Sequence, residues 1–385
     1  MSPSAQRTYG RIDELDGLRG LLALWVAISH IVCWSGFSDP PPSMLNTFHH
    51  FWIRFSYAGG AVDTFIILSG FVITYLLHTR PQSYRQFLTG RFFRIYPVFF
   101  ICLLLGFGAA FLTPFILNHA IWRANAYFTV FQIPASAATL AHPFSYLATH
   151  LTLLYGAIPE KILPFTGVAL LAPAWSISLE WQYYMVAPLL ARWICSRTGL
   201  LVLGLICCGD FIYAHFWSGA FLPAMLPLFL IGIGSYHLYA EACRRERFKP
   251  GSFMVIIALI VVVIGSWHWI ALVIWTLVFG GVLLGQADLE NQDGWSRRLL
   301  RGRQALLHPT LQSLGHLSYP LYLIHWPVIV FLLSGLLHWR PQTTSFEALL
   351  FMLGFGLPII LLAAWFLHKS VEAPMMRWGK KFTKP

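Results

Sequence analysis

The chain has 385 residues, of which 57% are apolar and only 11% charged, with a mean hydropathy of +0.64. Charged residues make up about a quarter of an ordinary soluble domain, so the composition is that of an integral membrane protein and excludes soluble kinase, Rossmann and disulfide-scaffold classes, as well as disorder. A formal net charge of +11 raises nucleic acid as a partner, but the basic residues lie at the edges of apolar stretches, so no nucleic acid is expected.

Met1 to Gly17 holds no apolar run, and no small-residue cleavage pattern follows the first hydrophobic stretch, so no cleaved signal peptide is expected. Runs of about 20 apolar residues predict membrane helices at Leu18 to Gly36, Tyr57 to Leu77, Ile95 to Leu117, Ala174 to Ile194, Gly199 to Trp217, Gly219 to Leu238, Gly251 to Trp267, Trp269 to Gln286, Ser313 to Leu336 and Phe346 to His368. The fold class is therefore an all-α, polytopic membrane bundle of about ten helices, with both termini on one side. Only Arg54, Arg123, Lys161 and Arg340 of the 26 basic residues then fall on the side opposite the termini. Basic loops stay cytoplasmic, so the expected arrangement has cytoplasmic termini, with residues 1–17 and 369–385 as cytoplasmic segments of a single membrane domain over 1–385. Asn118 to Pro173 carries apolar pieces too short to span and reads as an outer, interfacial or re-entrant segment.

Ionisable groups within spans are costly in hydrocarbon and mark functional candidates. Arg19 and His30 are 11 residues apart in the first predicted helix, about 16 Å along one face. On spacing alone, Arg19 is equally well a cytoplasmic anchor and His30 a packed histidine bonded to a carbonyl. Asp63 and Glu180 each lie six residues inside the outer end of their predicted helices, the same offset as His30, which places all three about 9 Å below the outer boundary. A histidine with two carboxylates at one level has the composition of a general-base site, and also of a proton relay in a pump. Ser176, Glu180, Tyr183 and Tyr184 form one polar stripe, and Ser318, Tyr322 and His325 another; interhelical hydrogen bonding is the plainer account of their Ser and Tyr members. Arg91 and Arg94 sit at i, i+3 where the third predicted helix begins, and such a pair can fork onto phosphates or anchor lipid headgroups. His49 and His50 lie among aromatic residues as an interfacial belt. The six cysteines show no C-x-x-C spacing, so neither a disulfide framework nor a metal site is expected.

With these residues the sequence resembles the acyltransferase 3 family, bacterial membrane acyltransferases that decorate surface polysaccharides. Leu15-Asp16-Gly17-Leu18-Arg19-Gly20 with the Arg-x10-His spacing to His30 is similar to its first motif, and Val62 to Phe71 to its second. Arg91-x-x-Arg94 before Ile95-Tyr96-Pro97, Trp175 to Trp181, Ser318 to Pro327, and Val371-Glu372-Ala373-Pro374 resemble the others, in family order. Ala373 stands where the family carries a basic residue, which puts the role of the closing motif in doubt, and Ile66-Ile67 replaces a more aromatic pair.

The resemblance implies an O-acyltransferase of the bacterial inner membrane. It moves an acyl group, usually acetyl, from cytoplasmic acyl-coenzyme A, its co-substrate, to a hydroxyl of an extracytoplasmic glycan or lipid-linked acceptor. Arg19, Arg91 and Arg94, with Ser69 and Tyr319, would hold the donor. His30 would be the general base, oriented by Asp63 or Glu180, with Ser176, Ser178, Tyr322 and His325 supporting the oxyanion or substrate. The rival from another class is a proton-coupled transporter or flippase using His30, Asp63, Glu180 and His325 as its path; a third reading is a non-catalytic membrane scaffold.

Overall fold

A computed structural model describes residues 12–37, 55–56, 58–80, 82–244, 268–284 and 294–383. Among these the chain is helix and turn with no strand. In chain order the helices are α1 (Asp13–Trp34), α2 (Gly59–Thr79), α3 (Tyr84–His119), α4 (Ile133–Ala141), α5 (Pro143–Leu151), α6 (Trp175–Trp193), α7 (Arg197–Cys208), α8 (Asp210–Phe216), α9 (Leu222–Arg244), α10 (Trp269–Leu284), α11 (Gly294–Leu306), α12 (Pro309–Trp339) and α13 (Ser345–Phe382).

Six of these, α1, α2, α3, α9, α12 and α13, are long and apolar enough to cross a membrane. The stretch expected as one span over Gly199 to Trp217 divides at Gly209 into α7 and α8, each too short to cross. Its apolar run hides a break, because Gly209 stops α7 and Asp210 starts a new helix. Glu180, Gln182 and Arg192 make α6 more polar than the six, and α10 has only 16 residues. The helix expected over Gly251 to Trp267, and His49 and His50, lie outside the described residues.

Two crossings set the interior. α1 packs along α12, and a Cβ on Gly20 would sit 2.7 Å from the Gly315 nitrogen, while one on Gly315 would strike the Asp16 carbonyl. α2 and α9 approach as closely, with Gly70 against the Phe229 backbone and Gly232 against Ile67. Glycine at such contacts lets helices meet backbone to backbone where no hydrophobic drive separates protein from lipid. The glycines of Asp16-Gly17-Leu18-Arg19-Gly20 and Leu68-Ser69-Gly70-Phe71 are thus packing residues, and they hold the polar side chains between them in register. α3 starts earlier than Ile95, at a capping box of Ser83 and Gln86.

The segment between α3 and α6 contains no helix long enough to cross. It is folded into the bundle: Tyr155 is fully buried and donates to the Ala174 carbonyl, Tyr146 to the Pro164 carbonyl at 2.5 Å, and Tyr96 of α3 to the Leu151 carbonyl at 3.2 Å. Trp122 donates to the carbonyl of Trp34 at the end of α1, so this segment caps the end of the bundle nearer His30.

Candidate active site

α1, α2, α3, α6, α9 and α12 line a partly open cavity of about 100 Å³. At one end stand Arg19, Arg91 and Arg94; at the other, Phe65, Ser176 and Tyr322. The arginine pair lies two to three turns inside α3, not at its start, because the helix begins at Tyr84. Arg19 bonds Asp16 at 3.2 Å. The Arg91 guanidinium lies 5.9 Å from the Tyr184 ring centre, and its Nε is buried with no hydrogen-bond partner among the described residues. Glu372, buried at the far end of α13, bonds His368 at 2.8 Å and lies within electrostatic reach of Arg94. The Val371-Glu372-Ala373-Pro374 stretch therefore contributes to this arginine mouth without the basic residue that Ala373 replaces. Tyr319 lines the wall and donates to the Ile95 carbonyl at 2.6 Å.

Glu180 faces the same cavity and accepts from the hydroxyls of Ser69, at 3.1 Å, and Tyr184. This changes the expected level of the three ionisable residues. Ser69 is six residues further along α2 than Asp63, about 9 Å towards the arginine end, so Glu180 lies deeper than Asp63. The cause is that α6 begins inside the protein, after the buried Leu171 to Ala174, so distance from its end does not measure membrane depth. Asp63 is turned to a different partner, His268, at 2.7 Å.

Neither carboxylate orients His30. Its Nδ1 lies 2.9 Å from Nε2 of His325, with the rings stacked at 5.0 Å. His325 is fully buried, and its Nδ1 lies 3.0 Å from the Leu321 carbonyl. A carbonyl only accepts, so Nδ1 of His325 carries the hydrogen and its Nε2 accepts from His30 Nδ1–H in the neutral pair. The Nε2 lone pair of His30 is left for a substrate proton. Trp326 stands edge-on to His30 at 5.4 Å.

Between the cavity and this pair, Tyr322 Oη and Ser176 Oγ are 2.8 Å apart, and Tyr322 donates to the Pro173 carbonyl at 2.8 Å. Ser318, Tyr322 and His325 follow one another along α12, with Ser318 lining the cavity and bonding the Gly315 carbonyl. Ser178 is placed elsewhere. Two residues on a helix differ by roughly 200°, and Ser178 accepts from the Gly156 amide at 3.0 Å and from Gln182 at 3.3 Å. It fastens the segment before α6 and does not face the cavity.

The structure thus gathers Arg19, Arg91, Arg94, Ser69, Glu180, Ser176, Ser318, Tyr319 and Tyr322 around one cavity, joins His30 to His325 beside it, and leaves Asp63 and Ser178 out. Tyr184 and Glu372 join the site with readable signals, a position four residues from Glu180 and a place in a family motif. His268, 205 residues from its partner Asp63, had none.

A family model described as an acyltransferase domain matches residues 12–368. Nodulation protein 10 of Rhizobium leguminosarum bv. viciae is 29% identical over 222 residues, covering 56% of this chain and 55% of that protein. Acyltransferase MdmB of Streptomyces mycarofaciens is 24% identical over 400 residues, 95% and 92% of the two chains. O-acetyltransferase OatA of Staphylococcus aureus is 24% identical over 360 residues, 84% of this chain and 51% of that one. The chain therefore matches about half the length of the first and third of these relatives. No solved structure matches it.

Proposed function

The chain belongs to the acyltransferase 3 family, and from that premise we propose that it is a membrane O-acyltransferase carrying an acetyl group from cytoplasmic acetyl-coenzyme A to a hydroxyl of an extracytoplasmic glycan. The observation that carries this reading is one cavity with three arginines at its mouth and a histidine pair beyond its far end. Guanidinium groups fork onto phosphate oxygens, and the buried Nε of Arg91 has no acceptor among the described residues and is a donor able to take one. The donor set fits the phosphates of a nucleotide.

When bound, coenzyme A supplies an activated thioester at the end of a long arm. Arg19, Arg91 and Arg94 hold its phosphates, with Glu372 steadying Arg94. Ser69 and Tyr184 keep Glu180 occupied, so the carboxylate does not close on the arginines. His30 Nε2 takes the proton of the acceptor hydroxyl as its oxygen attacks, and His325 stabilises the resulting imidazolium through its Nε2 lone pair. Ser176 and Tyr322 stand where hydroxyl donors can turn to a developing oxyanion. The departing thiolate takes up the proton held by the histidine pair, which restores both neutral rings.

The orientation belongs to the same proposal. Arg303 pairs with Glu14 at the start of α1, and the last turns of α13, with Lys380 and Lys381, pack on the start of α3 through Trp378 against Phe93. These three basic residues lie at the arginine end, which supports assigning that end to the cytoplasmic side of a bacterial plasma membrane. Cytoplasmic termini and a single domain over 1–385 complete the reading.

The test is the melting temperature of detergent-purified protein with acetyl-coenzyme A, for the native chain and Arg91→Ala. The expected result is a rise that the variant loses. No rise at saturating ligand overturns the proposal and returns the chain to the proton-coupled transporter reading.

A further inference from the structure

The cavity that runs up from the arginines stops before the histidine pair. Among the described residues neither His30 nor His325 lines it, and Phe65 and Tyr322 stand at that end. Their rings meet edge to face, with centres 5.9 Å apart and planes inclined at 70°, the arrangement that sets a positive ring edge against a negative face. Tyr322 in turn meets the His325 ring at 6.3 Å. The two rings therefore form a partition between the space open to the donor and the base beyond it.

The two halves of the partition differ. Tyr322 is fixed: its hydroxyl lies 2.8 Å from the Pro173 carbonyl and 2.8 Å from Ser176 Oγ, and the residue is buried. Phe65 has no polar atom to tie its ring, which is only partly buried and borders the open volume. What is held is its backbone. Ser69, one turn along the same face of α2, donates to Glu180 at 3.1 Å, and Gly70 rests on the Phe229 backbone. α2 thus presents the Phe65 ring at a set height. Among the described residues it is the one aromatic side chain that α2 brings to the cavity, above the aliphatic Leu68, Val72 and Ile73.

A hydroxyl pair beside an apolar ring suits a short acyl group. A thioester carbonyl drawn up to Ser176 and Tyr322 leaves its alkyl substituent against the Phe65 ring. A methyl group is the shortest such substituent. Each further methylene has to take space that the ring occupies, and packed protein yields such space only by displacing side chains. Tyr322, with its two hydrogen bonds, is the side that does not give, so the size of residue 65 decides how much room remains.

We propose that Phe65, braced by Tyr322, measures the acyl group of the donor, admitting acetyl and rejecting longer chains. The proposal rests on the acyl-transfer reading and adds to it the side chain that sets donor length.

The test measures, by titration calorimetry on the full-length protein in detergent, the affinities for free coenzyme A, acetyl-coenzyme A and butyryl-coenzyme A, so no acceptor is needed. In the native protein acetyl-coenzyme A is expected to bind at least about tenfold more tightly than butyryl-coenzyme A, the scale on which a misfitting methylene is rejected. Phe65→Ala should bring that ratio to within about threefold of one, with the affinity for free coenzyme A unchanged. Phe65→Trp is the second variant and acts in the opposite direction, weakening acetyl-coenzyme A relative to free coenzyme A. Each result is a ratio taken within one variant, so a smaller folded fraction does not imitate it. A native protein that binds both thioesters alike, or ratios that neither variant moves, overturns the proposal and leaves the acyl-transfer reading in place. Absence of coenzyme A binding by the native protein overturns both.

Discussion

His325 accepts a hydrogen bond from His30 at 2.9 Å, and the Leu321 carbonyl decides which nitrogen of His325 does so. Three groups in a line therefore set the tautomer of the base, a task given to a carboxylate in many hydrolytic triads. A neutral partner holds the ring without adding a second charge to a membrane interior.

Replacing His30 by Ala removes the base and is expected to lower transfer by about 10²–10⁴, with coenzyme A stabilisation unchanged. His325→Gln, which keeps an acceptor for Nδ1–H, retains more activity than His325→Leu. Equal rates for the Gln and Leu variants in an acetyl-transfer assay contradict the positioning role.

Glu372→Gln leaves the helix intact and takes the carboxylate from beside Arg94. The expected outcome is a raised KM for acetyl-coenzyme A with kcat little changed, since only donor binding is touched. A fall in kcat at constant KM argues against this assignment.

Acid sensitivity has an identifiable contributor outside the spanning helices. His150 is buried, bonds the Tyr146 carbonyl at 2.8 Å and stacks on Tyr155 at 4.0 Å; burial pushes its pKa down to about 4. Between about 6.5 and about 4 the unfolded chain binds a proton that the folded one refuses, so stability falls as pH is lowered through that window, by up to ~3 kcal/mol. His150→Phe keeps the stack and removes the titration. Its melting temperature should vary less between pH 7 and pH 5 than that of the native protein.

Gly315→Ala drives a methyl group into the Asp16 backbone and is expected to cost about 1–3 kcal/mol, read as a lower melting temperature. Gly335→Ala, on the same helix with nothing near its Cβ position, should be neutral or slightly stabilising. Similar losses for both would mean that the α1–α12 approach is not the reason for Gly315.

Ser176 and Ser178 separate catalysis from architecture. Ser176→Ala should slow transfer with little effect on melting, whereas Ser178→Ala should lower melting and leave the rate per folded molecule near native. The reverse pattern, from paired activity and thermal scans, would show that the two faces of α6 are misassigned.

Much of the site could be read from the sequence, because charged and hydroxyl groups are rare in apolar helices. Arg19, Arg91, Arg94, Glu180 and the Ser318, Tyr322, His325 stripe stood out against hydrocarbon, and the structure gathers them around one cavity and its histidine pair. What failed was the conversion of sequence offset into depth. Asp63 and Glu180 have equal offsets, but α2 starts near the bundle end while α6 starts in its interior, and nothing local to Trp175 records that difference. The pairing of Asp63 with His268 depends on a tertiary contact between distant segments. Ser178 faces away from the cavity for a simpler reason: it shares a motif with Ser176, but two residues along a helix point to nearly opposite faces.

Two wide π-turns, Met352–Gly356 and His368–Glu372, interrupt α13. Most of this helix faces away from the protein, with Leu362 and Phe366 well exposed, yet Glu372 at the second wide turn is buried. A π-turn holds about one residue more than an α-turn over the same length. It is a register buffer, storing one residue of slack between a lipid-facing rod and the carboxylate it delivers. Deleting Ser370 should be absorbed by tightening the turn to α geometry, with Glu372 kept in place. Deleting Ala363 from the regular stretch has no such reserve and swings everything beyond it by roughly 100°. Insertions and deletions in the lipid-facing helix are thus unequal in effect, and the tolerant place is the one closest to the arginine mouth.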